Sequence, residues 1–295
     1  MAPESDRISI SRMQNGWRLT KESWAIIRRD RTLLVFPTVA GVTGLIVAAI
    51  FVGGGVALRS STGSEPLMIV AFVIGAYLLA VVSNFCNVAL CACAARALEG
   101  ENTTVQEGFT AARARFGVIV GWAGVQLVVG GLTTLLEAAL REAGGQILAA
   151  IVGSLANLAW AVASFFVIPI IALEGLGPKA ALKRSLSIVR QRWGEGVTGT
   201  AAIGALTVLF VFLPGAALVA VGIAVRNSSS ILAGALIAIG VVTIVVGIVV
   251  QTALSTTFKV ALYRFATEDK VLGGFEREPL ENAFKPRRRR GLART

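Results

Sequence analysis

Long apolar runs alternate with short polar segments along this chain of 295 residues. A helix needs about 20 apolar residues to cross the hydrocarbon core of a bilayer. Six runs meet that length, and they predict spans at residues 33–58, 67–95, 118–136, 147–173, 197–225 and 231–258. Because a helix satisfies its own backbone hydrogen bonds in lipid, the pattern predicts an all-α, polytopic membrane fold.

The polar segment before the predicted fifth span has a helical period of its own. Apolar residues recur there at spacings of four, three and four, and basic residues lie off that face. The face is formed by Leu182, Leu186, Val189 and Trp193. This pattern is typical of a short basic amphipathic helix that lies in the membrane–water interface.

Two other segments resemble this helix. The sequence RARFG at residues 113–117 parallels RQRWG at 190–194, and SWAIIR at 23–28 parallels SLSIVR at 185–190. The second copy begins with Thr104 and Glu107 at the spacing of a capping box. Two apolar runs follow each copy, and ALEG ends both the second span (97–100) and the fourth (172–175). The chain therefore predicts three pseudo-repeats, each an interfacial amphipathic helix followed by a helical hairpin.

These patterns divide the chain into three regions. Residues 1–32 form an N-terminal amphipathic segment, 33–268 the membrane domain, and 269–295 a polybasic tail. Pro169 and Pro214 are expected to kink the fourth and fifth spans, because proline removes a backbone donor from the helix.

Composition agrees with membrane insertion, and the charges predict an orientation. The mean hydropathy is +0.74, and charged residues are 15% of the chain, against about 25% in soluble domains. Of the 28 Lys and Arg residues, 25 fall on the side of the termini, which we call the basic side, and Arg59, Arg141 and Arg226 fall on the other. The positive-inside rule then predicts a multi-pass protein of the bacterial inner membrane with both termini cytoplasmic. The net charge of +11 follows from this topology, so we expect no nucleic-acid partner.

Few residues suggest chemistry. The chain has no histidine, and no carboxylate falls near the middle of a predicted span; we therefore expect no catalytic site, no cofactor and no metal site. Ser255 and Lys259 lie four residues apart on one helix face, where a Ser–Lys dyad is conceivable, but we favour the interpretation of a lysine snorkelling at the membrane boundary. Amides within spans, such as Asn84, Asn87 and Gln126, indicate hydrogen bonds between helices or, alternatively, a polar ligand path.

The residues predicted to contact lipid are aromatic or basic positions of the three amphipathic helices and the tail. They are Trp17, Trp24, Arg28, Phe109, Arg113, Phe116, Lys183, Arg190, Trp193, Arg287, Arg288, Arg289 and Arg290. The expected partners are the bilayer and its anionic phospholipids, with a homo-oligomer or a second membrane protein as further possibilities. The favoured function is a non-enzymatic, lipid-engaging membrane protein, and the alternative is a permease for a small or amphiphilic solute.

The N-terminal region carries a family resemblance. The sequence NGWRLTKESW at 15–24, followed by RRDR at 28–31 and Phe36-Pro37, resembles an uncharacterised prokaryotic integral membrane family, the domain of unknown function 6159. That resemblance implies a membrane protein and supplies no catalytic residues. The layout is also similar to the membrane domain of some bacterial glycerophosphodiester phosphodiesterases, whose catalytic domain has no counterpart in this sequence.

Overall fold

The computed structural model describes residues 23–192, 212–226 and 229–268, and all regular structure in them is helical. Helix α1 covers residues 23–29. The helices that follow are α2 (Val35–Ala48), α3 (Gly54–Thr62), α4 (Glu65–Leu98), α5 (Val105–Ala114), α6 (Phe116–Glu142), α7 (Gln146–Ala163), α8 (Val167–Leu173), α9 (Pro178–Arg192), α10 (Leu213–Ala224) and α11 (Ser230–Glu268). A 3₁₀ turn (Arg31–Leu34) precedes α2, and a π turn (Ala49–Gly53) joins α2 to α3.

The described residues contain five helical runs long and apolar enough to cross a bilayer. They are Arg31–Thr62, Glu65–Leu98, Phe116–Glu142, Gln146–Leu173 and Ser230–Glu268. These runs match the predicted first four spans and the sixth, so the prediction of an all-helical protein with several helices able to cross a membrane is confirmed for the described residues. Of the predicted fifth span, residues 197–211 lie outside the described residues, and its described end is the shorter apolar helix α10.

The chain divides into two compact units, and the first contains residues 30–186. Its central helix is α4, which packs against α2, α3, α5, α6 and α8, while α6 also packs against α7. Burial along α4 is uneven: most residues from Asn84 to Leu98 are buried, whereas most from Glu65 to Ser83 are exposed or half-buried. The core of this unit therefore lies at the basic end of its spans, and the opposite halves present apolar side chains such as Leu67 and Ile69 outward.

The described part of the second unit is dominated by the hairpin of α10 and α11. Glycines allow the two backbones to touch. A Cβ built at Gly240 would lie 2.7 Å from the carbonyl oxygen of Gly215 and 3.0 Å from the amide nitrogen of Val219. Such close approach of small residues provides the van der Waals contact that drives helix association in lipid.

The fourth span is broken where proline was expected to disturb it. Residues 164–166 form a turn between α7 and α8, and Pro169 follows in the first turn of α8. Pro169 has no N–H to donate to the carbonyl of Phe165, so the helix cannot run unbroken through this point. Pro214 stands at the first turn of α10, and the residues that would show a kink before it lie outside the described part of the chain.

Candidate functional site: the basic helices and an amide-lined pocket

Each of the three helices predicted to be basic and amphipathic buries a small residue five positions before an arginine. These residues are Ser23 in α1, Gly108 in α5 and Ser185 in α9. A Cβ at Gly108 would lie 2.8 Å from Phe36 Cε1 and 2.9 Å from Cys93 Sγ. No side chain fits there, so the glycine lets α5 lie directly on the first two spans.

In α9 the small residue also makes a hydrogen bond. The Ser185 hydroxyl oxygen accepts from the backbone N–H of Phe166 at 3.2 Å. Phe166 is the N-cap of α8 and lies in the turn that breaks the fourth span. This bond connects α9 to the turn that interrupts the fourth span.

The next position in each helix carries a large apolar side chain that is only half-buried, and an arginine follows four residues later. The apolar residues are Trp24, Phe109 and Leu186, and the arginines, all exposed, are Arg28, Arg113 and Arg190. Residues four apart share a helix face. Each helix therefore presents a partly exposed apolar side chain beside an exposed arginine on the same face.

The buried face of α9 differs from the predicted one. The structure buries Ala181, Ser185, Ile188 and Val189, and leaves Leu182 and Leu186 half-buried. This face is rotated by about 100°, one residue, from the predicted stripe. Close packing selects the side with small residues, and the larger leucines remain at the edge.

An unpredicted carboxylate connects the start of the first span to the segment that follows the second. Asp30, which is 8% exposed, accepts from the backbone N–H of Thr32 at 3.0 Å and of Thr103 at 3.2 Å. It also accepts a short hydrogen bond from the Thr103 hydroxyl, while the Thr32 hydroxyl donates to the carbonyl of Thr103. The sequence does contain a signal for the local part of this arrangement. An aspartate two residues before a threonine at the start of a helix is a common N-cap pattern.

The start of α5 is held by a capping box and by an arginine from α4. The Thr104 hydroxyl accepts from the Glu107 N–H, and the Glu107 carboxylate accepts from the Thr104 N–H, as the spacing predicted. Arg96 pairs with Glu101 at 2.7 Å and with Glu107 at 2.8 Å. The hydrogen bond from Arg96, followed by those from Thr104, holds the pKa of Glu107 below its usual value.

The corner between α5 and α6 contacts the end of α8. A Cβ built at Gly175 would lie 2.7 Å from Nη1 of Arg115, so the guanidinium covers this glycine. Gly175 has φ +69°, and Gly100, after α4, has φ +88°. Both occupy the left-handed region that glycine adopts without strain, at the same place in the two ALEG sequences.

A pocket of about 490 Å³ lies between α4 and α6, in the first unit. We call it the amide pocket. It is lined by Ala76, Ala80, Ser83, Asn84, Asn87, Gln126, Leu127, Gly130 and Gly131. Asn84, only 5% exposed, donates from Nδ2 to Oε1 of Gln126 at 2.6 Å. The lining combines three amides with small apolar residues and contains no charged side chain.

The other predicted site residues are placed as follows. Lys183 is exposed, as is Phe116, at 52%. Trp17, Trp193 and Arg287–Arg290 lie outside the described residues. Ser255 and Lys259 are both half-buried in α11. Within the described ranges, no group of three or more His, Cys, Asp or Glu side chains is arranged to hold a metal ion.

Comparison with known proteins gives one match. The model of a family of unknown function, DUF6159, matches residues 65–274. No curated protein and no solved structure matches the chain. The first resemblance noted in the sequence is therefore confirmed, and the similarity to the membrane domain of glycerophosphodiester phosphodiesterases has no support.

Proposed function

We propose that this chain, which belongs to the family of unknown function DUF6159, is a non-enzymatic membrane protein whose basic amphipathic helices bind anionic lipid. The observation that carries the proposal is a surface pattern that recurs in each of the three helices. In α1, α5 and α9 a half-buried apolar residue stands four positions before an exposed arginine: Trp24 and Arg28, Phe109 and Arg113, Leu186 and Arg190.

This arrangement suits the boundary between headgroups and acyl chains. An apolar side chain inserts at the edge of the hydrocarbon, and an arginine on the same helix face extends to a phosphate. A basic residue close to an anionic membrane contributes about 1 kcal/mol of attraction. The three arginines together supply about 3 kcal/mol, which corresponds to more than 100-fold in binding.

We further infer that the chain crosses the bacterial inner membrane six times as three repeats, with both termini cytoplasmic. Three features support the repeats. The small buried residue recurs in the three helices, and Gly100 and Gly175 take the same backbone conformation. In addition, Asp30 contacts the segment after the second span, and Arg115 covers the glycine after the fourth. The charge distribution supports the orientation.

The lipid proposal is tested with a triple variant, R28Q/R113Q/R190Q, in nanodiscs that mix phosphatidylglycerol and phosphatidylcholine. Mass spectrometry of the lipids retained by the purified protein measures the enrichment in phosphatidylglycerol. We expect wild-type protein to retain phosphatidylglycerol preferentially and the triple variant to lose most of that preference. Arg59, Arg141 and Arg226 provide the matched control, because R59Q/R141Q/R226Q removes the same charge from the opposite side. Equal loss in the two variants, or no loss in either, would contradict the proposal.

The non-enzymatic part of the proposal rests on the chemistry of the residues rather than on the fold. Ser255 and Lys259 form the one nucleophile–base pairing that the sequence suggested, and both are half-buried at the basic end of α11. A snorkelling lysine accounts for this position. Labelling of the purified protein by a fluorophosphonate probe at Ser255, abolished in Lys259→Ala, would show a dyad and overturn this part.

The alternative, a permease, is favoured by the broken fourth span and by the amide pocket. Discontinuous helices and buried polar groups occur at transport sites. The pocket covers α4 from Ala76 to Asn87, about 16 Å of helix, which is roughly half of the hydrocarbon thickness. A transport path requires a cavity that extends over the whole hydrocarbon thickness. Proteoliposomes that swell faster than protein-free liposomes in neutral polyols would favour transport over the lipid-binding proposal.

A further inference from the structure

The amide pocket lies midway along α4, the second candidate span. Along α4 it begins at Ala76, eleven residues after Glu65, and ends at Asn87, eleven residues before Leu98. Each of those distances corresponds to about 16 Å of helix. The pocket therefore falls within the hydrocarbon layer, where there is no water to satisfy polar groups.

The amides of the pocket have hydrogen-bond donors and acceptors that no described residue uses. Asn84 and Gln126 share one bond, from Nδ2 to Oε1, and no other described residue bonds to the Asn84 oxygen or to the Gln126 amino group. The side chain of Asn87, half-buried beside them, makes no hydrogen bond to any residue that the structure describes. The site thus presents both donors and acceptors, and the Asn84–Gln126 bond fixes their orientation.

The lining also restricts what can bind. It carries no charge, so a phosphate or a carboxylate would be buried without a counter-charge, at high cost. Ala76, Ser83, Gly130 and Gly131 are exposed at its rim, so the pocket is open on one side and bounded by small residues. A molecule that reaches this depth from the bilayer must itself be largely apolar.

We propose that the amide pocket binds a neutral amphiphile, whose hydroxyl or carbonyl group is held by Asn84, Asn87 and Gln126 while its apolar body remains in the bilayer. A hydroxyl both donates and accepts, and it therefore complements a site that offers both functions. The proposal is independent of the anionic-lipid surface, because none of the pocket residues belongs to the basic helices.

The test uses full-length protein in phosphatidylcholine nanodiscs and a long-chain alcohol that carries a photoactivatable diazirine. Two probes of the same chain length are compared with it, a fatty acid and a hydrocarbon with no head group. Mass spectrometry then maps the labelled peptides. We expect labelling of the segments 76–87 and 126–131 by the alcohol to exceed that by either comparison probe by about tenfold, the effect of one or two buried hydrogen bonds.

Two variants test the pocket itself. Asn87→Leu removes the unused amide and leaves the Asn84–Gln126 bond in place. Gly130→Leu fills the pocket, and a Cβ at Gly130 meets no atom within 4 Å, so folding should tolerate it. Both variants should lose most of the alcohol-specific labelling. Asn157→Leu, at an exposed position of α7 outside the pocket, is the matched control and should retain it.

Three results would overturn the proposal. One is equal labelling of these segments by the alcohol and the hydrocarbon, and another is labelling by the fatty acid as strong as by the alcohol. The third concerns the chain itself: a photo-crosslinking amino acid placed at Ala80 that reacts with residues 193–211 would show that this segment occupies the pocket.

Discussion

Among single residues, size decides how the amphipathic helices pack. Gly108 lets α5 lie against Phe36 and Cys93, where a Cβ would overlap with both. Its larger neighbour Phe109 instead packs at the edge, with its ring 5.4 Å from that of Phe36 and 5.9 Å from that of Phe85. The small residue sets the distance between helices, and the large one stays partly available to lipid.

Asp30 should be important for stability. Asp30→Ala leaves the N–H of Thr32 and both donor groups of Thr103 without their partner, and a buried unsatisfied donor costs about 1–3 kcal/mol. We expect Asp30→Ala to lower the free energy of unfolding by about 2–4 kcal/mol, measured by denaturant titration in detergent micelles. Glu142→Ala, at an exposed position, is the control and should change it little. Equal effects of the two substitutions would show that the Asp30 contacts do not stabilise the fold.

Glu107 should make the docking of α5 sensitive to acid. Its pKa in the folded protein is lowered, first by the hydrogen bond from Arg96 and then by those from Thr104. A lowered folded pKa means that the stabilisation is fully present above the unfolded value, about 4.3, and is lost as the pH falls through the folded value. The protection of α5 amides against hydrogen exchange, corrected for the intrinsic rate at each pH, should therefore fall below about pH 4.3 in the wild type. In the variant Glu107→Gln, the α5 amides should be less protected at neutral pH, and their protection should fall less on acidification. If the pH profile of α5 were the same in the variant and the wild type, Glu107 would not be the group responsible.

Among the elements, contact between backbones joins α10 to α11. The two helices approach so closely at Gly215 and Gly240 that a side chain at either position would meet backbone atoms of the other helix. Unlike a flexible side chain, a backbone cannot move aside without a shift of the whole helix. The contact at these two glycines therefore fixes the distance between α10 and α11.

Gly240→Ala should destabilise the hairpin, because its Cβ would lie 2.7 Å from the carbonyl oxygen of Gly215. We expect a loss of about 1–3 kcal/mol in the free energy of unfolding, the usual cost of overpacking, measured by thermal unfolding in micelles. Gly234→Ala in the same helix is the matched control, since a Cβ there meets nothing within 4 Å. Alanine also forms helices better than glycine, so this control should be neutral or slightly stabilising. If Gly234→Ala lowered the free energy of unfolding as much as Gly240→Ala, the close backbone contact at Gly240 would not be the cause.

For the whole molecule, the distribution of burial along the spans is the main feature. In the first unit, α4 is buried mainly from Asn84 to Leu98, and in the second, α11 is buried mainly from Ala253 to Ala266. In α4 the buried part is the end that carries Arg96, and in α11 it is the end that carries Lys259 and Arg264. The other halves expose apolar side chains, which lipid covers as favourably as protein does.

The topology is tested by cysteine labelling in intact cells. Ser60→Cys lies in the predicted outer loop, and Glu101→Cys lies between α4 and α5 on the basic side; both positions are exposed. We expect a membrane-impermeant maleimide to label Ser60→Cys in intact cells and Glu101→Cys after permeabilisation, because the positive-inside rule places the basic side in the cytoplasm. The native cysteines are buried, so the parent protein serves as the background control. The reverse labelling pattern would overturn the orientation.

The sequence by itself determined the properties that depend on neighbouring residues. Apolar runs of sufficient length identified the spans from Arg31 to Leu173 and the last span, because lipid forces each to be a helix. The capping box at Thr104 followed from local chemistry in the same way. The predicted orientation, too, requires only a count of basic residues between spans.

The tertiary structure alone decided which distant residues meet. Asp30 and Thr103 are 73 positions apart, and Asn84 and Gln126 are 42 apart, and no local pattern specifies either pair. The packed face of α9 was predicted from the spacing of its apolar residues, but the buried face includes Ala181 and Ser185 and leaves Leu182 and Leu186 only half-buried. Periodicity locates a helix and its amphipathic side, whereas the shape of the neighbouring helices determines the final rotation and leaves the amide pocket between α4 and α6.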